Sequence, residues 1–224
     1  MRCLVLFSIF LISFNASSRK PISASRLEKL SGVKHNEDTK TTWDMRYSKR
    51  SFIYGKSPAK FLAENYEFIP HASSVLDIGM GEGRNAVFLA QKGYKVTGID
   101  ISSVAIKKAR ILAKEYNISI QAIVASVEKY KFQPKSFDAI IVFYYVDRSL
   151  IEKIKSWLKP NGIIIYEAHT IKQRNKPGFK NDPIEYFLKE QELLTMFKGM
   201  KVLKYEEPEH GKEYRASIIV QKLN

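Results

Sequence analysis

Short apolar runs and amphipathic segments alternate along the chain from about residue 75 onwards. The apolar runs have the length of buried strands, and the segments between them carry apolar residues at the spacing of a helix that packs one face on a core. The predicted strands are 75–79, 95–100, 120–124, 137–143 and 162–166. The predicted helices are 83–92, 103–116, 148–158 and 187–198, with Ser102 placed to cap the second. Strands that alternate with helices predict a parallel sheet.

The end of the chain has a different pattern. Two segments with strand-like alternation, 202–206 and 214–220, are joined by the polar stretch 207–213, which predicts a hairpin. A turn is predicted at 159–162, where proline and glycine interrupt the pattern. The predicted fold class is therefore α/β: a Rossmann-like, doubly wound sheet of seven strands that is mostly parallel and ends in an antiparallel strand pair.

The beginning of the chain does not fit this pattern. Residues 1–18 contain an apolar run that follows Arg2 and precedes small residues, as in a secretory signal. Residues 19–42 are polar, basic and rich in serine, which is typical of a disordered linker. The predicted organisation is a hydrophobic leader over 1–18, a linker over 19–42 and one folded domain over 43–224.

The chain carries 37 basic and 23 acidic side chains, a formal net charge of +14. A charge of this size makes nucleic acid or an anionic membrane worth considering as a partner. The excess is spread along the whole chain, mostly as separate lysines on predicted helix surfaces, which favours a solvated surface. The single cysteine, Cys3, lies in the leader, so the domain has no internal disulfide, cysteine ligand or cysteine nucleophile. The four dispersed histidines form no local metal motif.

A glycine-rich turn follows the first predicted strand and runs directly into a helix. Gly79, Gly81 and Gly83 occupy every second position, which lets the backbone turn tightly and approach a ligand closely. The spacing G-x-G-x-G differs from the dinucleotide fingerprint G-x-G-x-x-G and therefore disfavours pyrophosphate binding. Asp77 ends the first strand, and Asp100 ends the second, where such folds hold ribose hydroxyls. Two carboxylates at this edge favour a cationic nucleoside ligand.

These residues resemble a known family. The sequence D-I-G-M-G-E-G at 77–83, followed by I-D-I-S at 99–102, resembles the class I S-adenosylmethionine-dependent methyltransferases. Upstream, W-D-M-R-Y at 43–47 with Tyr54 and Gly55 is similar to the tellurite-resistance methyltransferases of that class. The resemblance continues to the C-terminus and implies S-adenosyl-L-methionine as the cofactor.

The resemblance also implies cofactor-binding residues, most of them at the carboxyl ends of the strands. They are Tyr47, Asp77, Gly79, Gly81, Gly83, Asp100, Ile101, Ser126, Val127 and Phe143. The amides of the glycine turn would contact the methionine part of the cofactor, Asp100 the ribose hydroxyls and Ile101 the adenine. Ser126 departs from the family, whose members commonly have an acid there for the adenine amino group. The aromatic residues at 43–54 are expected to close over the cofactor as a lid, and the alternative is an N-terminal helix packed on the sheet.

The tellurite-type resemblance implies a soft methyl acceptor, either a small thiol or a chalcogen oxyanion. For such an acceptor, alignment and water exclusion matter more than a strong base. Tyr145, Arg148 and His169 are the candidate catalytic residues that would position it. If the acceptor is a hydroxyl or an amine instead, His169 or Glu167 would have to take the proton. The partner implied is a small-molecule acceptor, and no metal is expected.

The sequence is compatible with two other functions. The positive charge is a reason to consider an RNA methyltransferase, although no appended RNA-binding domain is present in the pattern. The serine at 126 and the leader are compatible with a cofactor-binding module without catalysis. The leader suggests export or organelle targeting, the cofactor suggests the cytosol or an organelle interior, and a mis-assigned start codon is a third explanation. No stable membrane span is expected beyond the leader, and the sequence leaves the oligomeric state open.

Overall fold

Seven strands form a single sheet, as the sequence predicts. The strands are β1 Ser74–Ile78, β2 Lys95–Asp100, β3 Gln121–Val124, β4 Phe137–Phe143, β5 Leu158–His169, β6 Lys201–Glu206 and β7 Arg215–Gln221. Their order across the sheet is β3-β2-β1-β4-β5-β7-β6. All neighbouring pairs from β3 to β5 are parallel, whereas β7 runs antiparallel to both β5 and β6. The order reverses between β1 and β4, which is where open α/β sheets bind ligands.

The computed structural model describes residues 36–208 and 213–224. Residues Asn36–Asn224 form one compact unit. The predicted leader and most of the predicted linker lie outside the described residues, so targeting, cleavage and localisation stay predictions. Among the residues described, no helix is long and apolar enough to cross a membrane.

The two central strands explain why the core has two layers. Alternate residues of β4 point to opposite faces, so Ile140 and Val142 join the core on one side and Ala139 and Ile141 the core on the other. β5 divides in the same way, and both strands are apolar on both faces, as expected of strands covered by helices on each side. The sheet is thus held rigidly from both sides, and its carboxyl edge is a fixed platform.

The helices connect the strands in the expected order. They are α1 Asn36–Tyr47, α2 Lys60–Asn65, α3 Arg84–Gln91, α4 Ser103–Glu115, α5 Ile151–Trp157 and α6 Glu192–Met196. Ser102 caps α4 as predicted, because its side chain accepts a hydrogen bond from the backbone N–H of Ala105 at 3.1 Å. Helices α2 to α4 pack on one face of the sheet, and α5 and α6 pack on the other.

Three boundaries differ from the sequence prediction. Helix α1 begins at Asn36, so residues 36–42 are helical and not part of a disordered linker. The helix predicted over 187–198 is reduced to α6, because Phe187 is extended and Gln191 has a left-handed φ of 55°. The turn predicted at 159–162 lies inside β5, where Asn161 has a φ of 60° and the register with β4 shifts.

Candidate active site

The glycine turn lies at the point where the strand order reverses, between β1 and α3. Gly79, Gly81 and Gly83 all have positive φ values, of 66°, 54° and 85°. A Cβ atom on Gly81 would lie 2.8 Å from the hydroxyl oxygen of Tyr47, and one on Gly79 would lie 3.1 Å from the Tyr145 side chain. Glycine is therefore required here both by the backbone conformation and by the close approach of two tyrosines.

The backbone amides of this turn are used inside the protein. The Gly79 N–H donates to the carbonyl of Ile99 at 2.9 Å, the Gly83 N–H to that of Met80 at 3.0 Å, and the Gly81 N–H to the carboxylate of Asp100 at 2.8 Å. These three amides thus have partners inside the protein, and the contact of the glycine turn with the methionine part of the cofactor stays a prediction. The hydrogen bonds of Gly79 and Gly81 fix the turn against β2, and that of Gly83 closes the turn on itself.

Asp77 is the most unusual ionisable group at this edge. It is 1% exposed, and its Oδ2 atom has no hydrogen-bond partner. Burial, reinforced by the nearby charge of Asp100, raises the pKa of Asp77 to about 8, although Arg84 and the Ala86 backbone act in the opposite direction. Its carboxyl is therefore mostly protonated at neutral pH, and a cation placed beside it would favour the charged form.

Asp100 stands beside it at the end of β2. Its Oδ2 accepts from the Gly81 N–H and its Oδ1 from the Ser102 N–H, both at 2.8 Å. Burial raises the pKa of Asp100 to about 6, and these two backbone hydrogen bonds limit the rise. Each carboxylate oxygen has a second lone pair, so Asp100 can still accept hydrogen bonds from a pair of hydroxyls.

A segment that we call the cover segment, residues 43–54, lies across the glycine turn. The Asp44 carboxylate accepts from the Ser102 hydroxyl at 2.6 Å and from the Val104 N–H at 3.2 Å, so α1 is joined to the start of α4. Tyr47 is 6% exposed and its ring contacts those of Trp43 and Tyr54, with centroids 5.7 and 6.2 Å away. These aromatic rings lie beside the glycine turn, and their closing over a bound cofactor stays a prediction.

A buried ion pair anchors the cover segment. The Glu82 carboxylate accepts from the backbone N–H of Ile53 at 2.8 Å and forms an ion pair with Lys108, with N and O 2.8 Å apart. Lys108 also donates to the carbonyls of Lys49 and Ser51, at 2.6 and 2.8 Å. This pair was not predicted, because its signal in the sequence is no more than an acidic residue inside the glycine turn.

Beyond β3, position 126 is a serine, and an acidic residue, Glu128, lies two positions later. Glu128 accepts hydrogen bonds from the hydroxyls of Ser126 and Tyr145, the latter at 2.6 Å. Burial acts to raise the pKa of Glu128, but these two hydrogen bonds prevail and lower it. Val127, which lies between Ser126 and Glu128 in the sequence, is buried. A carboxylate therefore lies at this edge after all, two residues later than the family pattern places it.

His169 ends β5 and lies between two aromatic rings. The ring centroids of Tyr144 and Phe179 are 4.8 and 4.9 Å from that of His169. The Nδ1 atom of His169 is buried and has no hydrogen-bond partner. Burial lowers the pKa of His169, so the imidazole is neutral near pH 7 and Nδ1 can accept a proton or a hydrogen bond.

The remaining predicted residues take different places. Arg148 binds Glu192 through Nε at 2.6 Å and also donates to the backbone carbonyls of Glu185 and Phe187, so its guanidinium holds the segment before α6. These contacts give Arg148 a structural role, and its role in positioning an acceptor stays a prediction. Phe143, at the end of β4, is buried, and Ile101, just after Asp100, is half-buried. In the part of the chain that the structure covers, no three potential ligands cluster as a metal site.

Comparison with known proteins agrees with this geometry. Residues 75–162 match the family model of the methyltransferase domain. This part of the chain is thus similar to a methyltransferase domain. The matched range runs from β1 into β5 and so includes the glycine turn, Asp100 and the loops after β3 and β4.

Three relatives show how far sequence similarity extends. A Geobacillus protein named as a methyltransferase is 28% identical over 147 residues, 60% of this chain and 53% of that protein. A ubiquinone biosynthesis O-methyltransferase of Histophilus somni is 30% identical over 42% of this chain and 44% of its own length. The tRNA 5-carboxymethoxyuridine methyltransferase of Escherichia coli is 26% identical over 58% of this chain and 54% of its own. The chain thus spans about half the length of the curated relatives it matches.

Solved structures confirm the fold. A methyltransferase structure from Methanosarcina mazei superposes with a TM-score of 0.60 at 22% identity, covering 75% of this chain and 99% of that one. The crystal structure of TehB from Haemophilus influenzae also gives a TM-score of 0.60, at 20% identity, covering 82% of this chain and 66% of TehB. At these identities the likeness shows the fold alone.

The domain family and the fold support S-adenosyl-L-methionine as the cofactor. The residues present fit that molecule in two respects: Asp77 has a buried oxygen without a partner, suited to a cation, and Asp100 keeps free lone pairs for hydroxyls. Both carboxyls lie on adjacent parallel strands at the same edge of the sheet.

Proposed function

We propose that this chain transfers the methyl group of S-adenosyl-L-methionine to a small-molecule acceptor, either a thiol or a chalcogen oxyanion. The observation that carries the proposal is the buried, unpartnered carboxyl oxygen of Asp77 beside the glycine turn. A buried polar atom without a partner is costly unless a ligand satisfies it, and a cationic ligand fits a carboxyl best.

In this proposal each residue at the edge has a separate role. Asp77 faces the positively charged part of the cofactor, Asp100 accepts hydrogen bonds from the ribose hydroxyls, and Ser126 with Glu128 borders the adenine. Tyr47 covers the turn and excludes water. The bound cofactor supplies an activated methyl group, so the protein has to hold the acceptor in line with it and keep water out.

A small acceptor is favoured by what covers the site. The cover segment is joined to α4 and to the glycine turn, and Arg46 joins it to the loop after β5 through an ion pair with Asp182 at 3.1 Å. A large substrate would have to displace these contacts. The tellurite-type resemblance of residues 43–55 supports a thiol or a chalcogen oxyanion as the acceptor.

A second candidate function is methylation of RNA. The tRNA methyltransferase of Escherichia coli is among the relatives, and the net charge of +14 would favour a polyanion. The two candidates differ in salt dependence, because binding that neutralises several phosphates weakens steeply as salt concentration rises.

The test uses the full-length protein. Calorimetric titration with S-adenosyl-L-methionine should give saturable binding, and Asp100→Ala should weaken it, whereas NADH should not bind. Release of S-adenosylhomocysteine is then measured with 2-mercaptoethanol, with sodium selenite and with bulk tRNA. Turnover with the thiol or selenite supports the proposal, and turnover with tRNA alone replaces it by the second candidate. Cofactor binding without turnover on any of the three contradicts both and favours a non-catalytic binding module.

A further inference from the structure

Tyr144 has a conformation that a tyrosine rarely adopts. It directly follows β4 and has a φ of 57°, in the left-handed region that favours glycine. Such strain persists only where the surrounding structure holds it, and it clusters at functional sites. Here the backbone N–H of Tyr144 donates to the carbonyl of Glu167 at 2.8 Å, and its hydroxyl donates to Oε1 of the same residue at 2.8 Å. Glu167 therefore holds both ends of Tyr144.

Glu167 is itself fixed from the neighbouring strand β7. It is 1% exposed, and its Oε2 accepts from the Ser217 hydroxyl at 2.7 Å and lies 3.1 Å from Nε of Arg215. With its charge paired and both oxygens engaged, Glu167 is not available as the general base considered from the sequence. Its role is to hold Tyr144.

The ring of Tyr144 lies between the residue that follows the glycine turn, Arg84, and the end of β5. The Arg84 guanidinium, at the start of α3, is 5.5 Å from the ring centroid, and the His169 ring is 4.8 Å from it. The His169 ring in turn contacts the ring of Phe179, which belongs to the loop after β5. Tyr144 is thus in contact with both regions that an in-line methyl transfer has to bring together.

The hydroxyl of Tyr144 presents only lone pairs to a ligand. Burial, together with the charge and hydrogen bond of Glu167, raises the pKa of this hydroxyl, so it stays protonated, and its proton is committed to Glu167. The oxygen can still accept a hydrogen bond, which favours an acceptor that carries a proton on its attacking atom. The neutral His169, with its free Nδ1, is the nearby group that can receive this proton.

We propose that Tyr144 is a positioning and specificity-determining residue that selects a small thiol over a chalcogen oxyanion. This rests on the proposed function. The thiol S–H donates to the Tyr144 oxygen, and its proton then passes to Nδ1 of His169. The thiol sulfur forms a bond to the methyl carbon, while the bond from that carbon to the sulfonium breaks and its electron pair stays on the departing sulfur. The products are a methyl thioether, S-adenosylhomocysteine and a protonated His169.

The test compares full-length wild type, Tyr144→Phe and Tyr116→Phe. Tyr116, just after α4 and 43% exposed, is the matched control. Methyl transfer is measured with 2-mercaptoethanol and with sodium selenite, and S-adenosylhomocysteine binding is measured separately by calorimetry. We expect wild type to prefer the thiol. Tyr144→Phe should raise KM for the thiol about tenfold, as expected for a lost hydrogen bond, and leave S-adenosylhomocysteine affinity within about twofold. Tyr116→Phe should match wild type.

The possible failures are distinguishable. If wild type methylates selenite and not the thiol, or if Tyr144→Phe leaves KM for the thiol unchanged, the role of Tyr144 is refuted and the proposed function stands. If Tyr144→Phe weakens S-adenosylhomocysteine binding as strongly as it raises KM, the residue acts on the cofactor site instead. If wild type methylates neither probe, the proposed function fails and this inference fails with it. Should Tyr144→Phe fold poorly, His169→Asn, which removes the proposed proton acceptor, should slow methyl transfer to the thiol and leave S-adenosylhomocysteine affinity within about twofold, and an unchanged rate would refute the proposal.

Discussion

Replacing Asp77 by asparagine removes an ionisable group from the candidate active site with little change in side-chain shape. In the unliganded protein the pKa of Asp77 is raised to about 8, mainly by burial. A cationic ligand at Oδ2 requires the ionised form, so binding must remove the proton first. Cofactor affinity should therefore rise with pH in the wild type, and this rise should be largely absent in Asp77→Asn.

The size of the effect follows from the two carboxyls. With a pKa near 8, the ionised fraction of Asp77 grows from about 1% at pH 6 to about 9% at pH 7, a change of about ninefold. Asp100, with a pKa of about 6, adds about twofold over the same interval. Wild-type affinity should thus increase roughly 15-fold between pH 6 and pH 7, and that of Asp77→Asn only about twofold.

Calorimetry measures both the affinity and the proton. Titration of S-adenosyl-L-methionine at pH 7 in phosphate and in Tris, which differ in ionisation enthalpy, should report release of about 0.9 proton from wild-type Asp77. The variant should release far less and bind more weakly at pH 7. Equal pH dependence in the two proteins, or no proton release from wild type, would refute the assignment of Asp77 to the cationic part of the ligand.

Asp77 should also make the stability of the wild type depend on pH. Whereas cofactor affinity rises with pH, the free energy of unfolding should fall, and Asp77→Asn should remove this fall. The folded protein keeps a proton on Asp77 up to about pH 8, whereas an unfolded aspartate releases it near pH 3.9. The folded state therefore binds more protons in this window, and stability falls as pH rises, by about 1.4 kcal/mol per pH unit for this group. Urea unfolding at pH 5 and pH 7 should show this additional loss in wild type and not in Asp77→Asn.

Further predictions concern the turn and the cover segment. A Cβ on Gly83 would lie 2.7 Å from a methyl group of α4, so Gly83→Ala should cost roughly 1–3 kcal/mol more than Gly93→Ala, whose φ is also positive but whose surroundings are open. Lys108→Met should destabilise by about 3–5 kcal/mol because Glu82 is left buried and unpaired. Lys60→Met removes an exposed ion pair and should cost less than about 1 kcal/mol. Urea unfolding measures the stability of all four variants. If Lys108→Met loses no more stability than Lys60→Met, the Glu82–Lys108 pair does not anchor the cover segment.

The sequence predicted those parts of the fold that depend on local pattern. β4 was predicted over its full length, because 137–143 is apolar on both faces and such a run suits only a central strand. The helix predicted over 187–198 was largely wrong. Arg148 donates to the carbonyls of Glu185 and Phe187 and to the carboxylate of Glu192, and no local pattern indicates these distant contacts.

The same distinction applies to the site. Asp77 and Asp100 were predictable, because each lies at or next to the last residue of a strand, in a motif read from contiguous residues. The Glu82–Lys108 pair spans 26 residues, and the Tyr144–Glu167 hydrogen bond spans 23, so neither is visible in local spacing. The left-handed φ of Tyr144 was not predictable either, because glycine is the residue type that indicates such a conformation in a sequence.

The most direct test of the central claim is calorimetric titration of the full-length protein with S-adenosyl-L-methionine, with Asp100→Ala titrated in parallel and NADH as the competing ligand. We expect saturable binding of S-adenosyl-L-methionine alone, with weaker binding in Asp100→Ala. Binding of NADH, no binding of either ligand, or unchanged affinity in Asp100→Ala would contradict it.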